Sequence, residues 1–112
     1  MEIYKVHTLL RRLGVNATYK GFFLTADAVW LCTTKQSSLL LVTKDLYPKV
    51  AQMYGTNWRA VERNIRTVSA LAWEKNPALL QRLAGTALAQ RPNASYFLAI
   101  LSASLLDGSA GL

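Results

Sequence analysis

The chain has 112 residues, 52% of them hydrophobic, which is enough for one buried core and too apolar for a disordered segment. Thirteen Lys and Arg against six acids leave a net charge of +7, a balance that favours nucleic acid or an anionic membrane surface as partner. A lone cysteine excludes an internal disulfide and fits a reducing cytoplasm, the MEIYKVHTLL start lacks a signal-peptide pattern, and the longest mainly apolar stretch (Phe97 to Leu106) falls far short of the ~20 residues of a bilayer span.

The pattern is helical nearly throughout and predicts one all-α domain over residues 1–112. Residues 2 to 13 place Ile3, Val6, Leu9, Leu10 and Leu13 on one face, with Lys5, Arg11 and Arg12 opposite and Gly14 as the stop. After a connection over 15–20, a second helix is expected from Gly21 to Thr34, with Phe22, Leu24, Ala28, Val29, Leu31 and Cys32 inward. KQSS (35–38) reads as a loop, with Ser38 a candidate cap for the stretch LLLVTKDLY. Pro48 has no amide hydrogen, so a kink or restart is expected there, running on to Tyr54.

Thr56 or Asn57 then caps the longest helix, through about Glu74, which Asn76-Pro77 breaks. Pro77 opens a short helix that Gly85 ends. A loop through Arg91-Pro92 leads to a last helix, capped by Asn93 or Ser95 and ending near Leu106, with a frayed DGSAGL tail. Strands have little support, because alternation is weak and no hairpin dipeptide occurs.

Within this pattern, PKVAQMYGTNWRAVERNIRT (48–67) carries the chemistry. A helix-turn-helix, placed at about residues 44–74, needs a small residue where its helices cross, and Ala51 is one. It needs a residue tolerant of positive φ at the turn, and Gly55 is one. Val61 and Ile65 then point back into the core, leaving Arg59, Glu62, Arg63 and Arg66 on the polar face. Arg63 is suited to fork onto a guanine edge and Glu62 to accept from a cytosine amino group. Arg59 and Arg66 are suited to phosphates. The competing reading is an i,i+4 surface pair between Glu62 and Arg66.

Other chemistry finds few candidates. His7 is a solitary histidine beside Lys5 and Arg11, Cys32 sits on an apolar face, and the six carboxylates are scattered singly. No zinc spacing, Walker loop, dinucleotide-binding glycines or nucleophile elbow occurs, so neither an enzyme nor a bound cofactor is expected. Trp30 and Trp73 read as core anchors, and Trp58 as a staple of its helix start, with packing on the deoxyribose backbone as the other reading. Packing is the default for Tyr47 and Tyr54, with a hydroxyl-to-phosphate contact open to one of them.

LGVNATYKGFFLTADAV (13–29), VTKDLYPKVAQMYGT (42–56), VERNIR (61–66) and Trp73 together resemble the C-terminal effector domain of the sporulation master regulator of spore-forming Firmicutes, over about residues 3 to 106. The resemblance implies about six helices and a helix-turn-helix that reads a short promoter box. It also implies pairing of two copies on tandem sites and contact with the sigma subunit of RNA polymerase. Glu62 and Arg63 match the family's base-reading pair, Arg66 a backbone-contacting arginine, and Arg91-Pro92 a basic loop near DNA.

The chain also departs from that family. Ala60 stands where the family typically has a further base-contacting arginine. Arg59, about 100° around the helix, cannot replace it. Asn64 and Thr67 replace what are commonly alanine and histidine. Nothing in the chain offers the acidic pocket of a phospho-accepting receiver, so either an excised effector domain or a stand-alone homologue is expected.

The candidate interface is thus Glu62, Arg63 and Asn64 toward bases, and Lys49, Thr56, Asn57, Arg59, Arg66, Thr67 and Arg91 toward the DNA backbone. Double-stranded DNA in the cytoplasm is the expected partner. The alternative is a protein-interaction module that modulates sigma factor or a full-length homologue through an apolar stripe on the last helix (Phe97, Leu98, Leu101, Leu105), a stripe whose default reading is core. A third reading is membrane-surface binding through Lys5, Arg11 and Arg12.

Overall fold

Apolar residues spaced three and four apart fold the chain into six α-helices among the described residues, 2–35 and 41–111 of a computed structural model: α1 (Ile3–Arg12), α2 (Phe22–Thr34), α3 (Tyr47–Met53), α4 (Trp58–Lys75), α5 (Pro77–Ala84) and α6 (Ala94–Asp107). No strand occurs among those residues. The Ser38 cap expected from the sequence lies outside them. α2 is the central element. It is apolar on nearly every side and packs against α1, α3, α4 and α6, burying Phe22, Leu24, Ala26, Ala28, Val29 and Cys32.

Pro48 produces the expected restart. Its ring nitrogen cannot donate back along the helix, and the preceding turn, Val42–Leu46, is wound as a π-helix. The amides of Leu46 and Tyr47 reach five residues back, to the carbonyls of Leu41 (3.4 Å) and Val42. α3 then begins with Pro48 in its first turn, where the missing donor costs nothing.

Asn76 joins two helices at the far end of α4. Its side-chain oxygen accepts from Leu79 N (3.2 Å) to cap α5, and its Nδ2 donates to Arg12 O (2.8 Å) at the end of α1. Ser69, buried on α4, donates to Pro92 O at 2.8 Å and so ties the α5–α6 loop to α4.

One alternative loses its surface and two expectations need correction. The α6 stripe offered as an interaction surface is core: Phe97, Leu98 and Leu101 are fully buried and Leu105 packs against them. The tail through Gly111 is not frayed. It folds back so that Ala110 is 3% exposed, and Arg12 Nη1 donates to its carbonyl at 2.7 Å. Trp30 and Trp73 lie at the core's edge, only partly buried. His7 is half-buried, its ring 5.5 and 5.4 Å from those of Phe22 and Phe23.

Burial pushes the Cys32 thiol up to about 12. Burial first, then the charges of Glu62 and Cys32, push the Tyr47 hydroxyl up to about 12. Both groups keep a proton in the folded state that the unfolded chain releases from about pH 9.0 and 10.0 upward. The contribution of these two groups to stability is therefore full below about pH 9 and is lost as pH rises toward 12.

Because the thiolate is the reactive form, Cys32 in the native protein at pH 8 should react with a disulfide reagent only as fast as the fold opens, and immediately in denaturant. Stoichiometric labelling of native protein within the mixing time would contradict this placement. Ser69→Ala strands the buried Pro92 carbonyl and should cost about 1–3 kcal/mol in urea unfolding.

Candidate nucleic-acid interface

The turn between α3 and α4 is closed from both sides. Gly55 takes φ +62°, which a side chain would resist. Its amide bonds Gln52 O (3.4 Å) while that of Thr56 bonds Ala51 O (2.9 Å), so α3 ends in a Schellman motif. Asn57, not Thr56, caps α4, its Oδ1 accepting from Ala60 N at 2.9 Å. Ala51, at the crossing, is 4% exposed.

Beyond that turn α4 divides lengthwise. Val61, Ile65, Val68, Ser69 and Ala72 are buried against neighbouring helices. Arg59, Arg63, Arg66 and Thr67 are exposed on the other side. The Arg59 guanidinium lies 5.3 Å from the centre of the Trp58 ring, itself 39% exposed, so Trp58 serves as an outer platform rather than an interior staple. Arg66 Nη1 is 3.1 Å from Glu62 Oε1. Arg63 has no ion-pair partner among the described residues, and its carbonyl accepts from the Thr67 hydroxyl at 3.0 Å.

Asn64 is seated differently from its neighbours. It is half-buried, its Nδ2 donates to Ala60 O (2.8 Å), and it lies against Gly21 at the start of α2. A Cβ on Gly21 would come 3.1 Å from Asn64 Oδ1 and 3.2 Å from its backbone oxygen, so the two chains meet there because residue 21 has no side chain.

Arg91 is exposed on the α5–α6 loop and shares an open depression with Arg66, Asn93 and Tyr96. Lys49 is exposed on α3. Tyr47 is buried, and the Tyr54 hydroxyl donates to Asp27, which raises its pKa after desolvation has done so. The Tyr54 hydroxyl is therefore not free. A second depression beside α4 is lined by Lys20, Tyr54, Thr56, Ala60, Arg63 and Asn64 over a floor that includes Leu24. Lys20 is the one cation here that sequence reasoning left out. The only signal for it was its position before Gly21.

A family model described as sporulation initiation factor Spo0A C terminal matches residues 6–105. The chain belongs to that family. The Spo0A C-terminal domain is a DNA-binding effector domain of a transcription factor, not a family of enzymes. No helix among the described residues is long and apolar enough to cross a membrane. The basic face of α1, offered for a membrane surface, is partly spent within the molecule. Arg12 bonds Ala110, and Arg11 lies 5.6 Å from the centre of the Phe22 ring.

The Glu62–Arg66 pair is half-exposed, with side chains 31% and 49% accessible, so solvent screens it. A double-mutant cycle on the two residues should give a coupling of about 0.3–0.5 kcal/mol in thermal unfolding. A coupling several times larger would show the pair to be structural.

Proposed function

We propose that this domain is a sequence-specific transcriptional regulator that lays α4 in the major groove of a short promoter box. The observation that carries the reading is the division of α4, with guanidinium groups outward and an aliphatic stripe locked beneath. Association begins with counterion release, as Arg59, Arg66, Arg91 and Lys49 approach phosphates. Arg63, unpaired and exposed, then forks onto a guanine edge, and Glu62 accepts from a cytosine amino group.

In the free domain Arg66 occupies Glu62. On DNA it exchanges part of that contact for a phosphate, leaving the carboxylate to a base. Thr67 and the Thr56–Asn57 turn lie along the backbone. Asn64 acts through position, because its amide is engaged by Ala60 and its side chain seats α4 on Gly21. Two copies on tandem boxes, the sigma subunit of RNA polymerase as partner and a cytoplasmic setting complete the proposal. Their support is the sequence resemblance alone.

Selection from a random duplex pool, followed by anisotropy titration of the selected site, tests the reading. Arg63→Ala should lose about 1–3 kcal/mol and relax preference at one base pair. Arg66→Ala should weaken all sequences alike and lower the salt slope by roughly 1. No enrichment from the pool, or both variants binding like the parent, would overturn it.

A further inference from the structure

We propose that the corner between α1 and α2 is a second, separate arm of the DNA interface, in which Lys20 holds a backbone phosphate beside the groove-facing side of α4. This rests on the DNA-binding reading above and adds a contact from an element outside the helix-turn-helix.

Three observations carry it. First, the corner is rigid. Asn16 Oδ1 accepts from Thr18 N (2.9 Å), Tyr19 N bonds Asn16 O (3.1 Å), and Phe22 N bonds Tyr19 O (3.1 Å), so Lys20 leaves a succession of closed turns. Second, the corner is docked on α4. The backbone at Gly21 meets Asn64 so closely that a Cβ would lie within 3.3 Å of three of its atoms. Lys20 and Arg63 are the residues just before the two halves of that contact, and both line the same depression. Third, the charge there is unbalanced. Lys20 is exposed and has no ion-pair partner among the described residues, and the depression's lining holds Lys20, Arg63 and the Thr56 hydroxyl but no carboxylate. Asp27, the acid linked to this lining, accepts the Tyr54 hydroxyl.

Lys20 and the Thr56 hydroxyl, in an open, acid-free depression beside the base-reading Arg63, make a site for a phosphodiester. A duplex whose major groove receives α4 brings a strand alongside, and Lys20 meets it from the α2 side while Arg91 stands on the α5–α6 loop. Lys20 thus fixes how far α4 rotates in the groove without reading sequence.

The test uses the whole domain on a duplex taken from the selection above. Lys20→Gln should weaken binding roughly five- to tenfold at ~0.1 M salt and lower the slope of log K against log salt by about 0.9, with the ratio between matched and mismatched sites unchanged. Lys20→Arg should restore most of both. A scan of neutral methylphosphonate substitutions, one phosphate at a time, should find one position that weakens the parent but leaves Lys20→Gln unaffected. Circular-dichroism melting should give all three proteins the same midpoint, since Lys20 is exposed.

If the parent binds DNA and Arg63→Ala weakens it, yet Lys20→Gln keeps the parent's affinity and slope, the Lys20 arm is wrong while the α4 reading stands. If no phosphate becomes silent in Lys20→Gln, its effect is diffuse charge and the contact is likewise overturned. If the parent binds no duplex, the α4 reading fails and this arm fails with it.

Discussion

Everything at the candidate interface depends on the burial of one stripe of α4. Val61, Ile65, Val68 and Ala72 are almost wholly removed from water against α2, α3, α5 and α6. Burying aliphatic side chains of this size contributes on the order of 1.5–3 kcal/mol each for the larger ones, and it fixes which way the helix faces. With that stripe inside, the 3.6-residue period leaves Arg59, Arg63 and Arg66 no direction but outward. The helix is held at its start by Asn57 and the turn at Gly55, and at its end by Asn76.

Placing the arginine stripe opposite the core separates stability from the proposed binding. The outward arginines make few internal bonds: one stacks on Trp58, one pairs with Glu62, and Arg63 has no ionic partner among the described residues. Their cost to the fold is small, and their charge remains available to a polyanion. Two loops are tied to the same helix, at Ser69–Pro92 and at Gly21–Asn64, so Arg91 and Lys20 are positioned by α4. A rigid frame of this kind limits the entropy lost when several cations engage one strand.

Much of this was legible in the residues, because local signals and the core agreed. Pro48, Gly55, Asn57, Asn76-Pro77 and Gly85 each act through backbone chemistry that needs no tertiary knowledge. They mark the element ends within a residue or two. What escaped the reading was set by contacts distant in sequence. The tail looked frayed because only the fold brings Arg12 to Ala110. The α6 stripe stayed open to both core and interface because one helix cannot show what covers it. The seating of Asn64 against the start of α2 is of this kind, since its spacing on α4 suits a base reader and only the fold brings Gly21 against it. Lys20 belongs to the same class, since its neighbour on α4 lies more than forty positions away.

The most direct examination of the central claim is a titration of isotopically labelled domain with its selected duplex, followed by backbone-amide NMR. The account predicts that the largest shifts fall on Gly55 to Asn57 and on Arg59, Arg63, Arg66 and Thr67, while the buried amides of α6 hardly move. Shifts concentrated on the α1 face of Lys5, Arg11 and Arg12, with α4 unchanged, would contradict it.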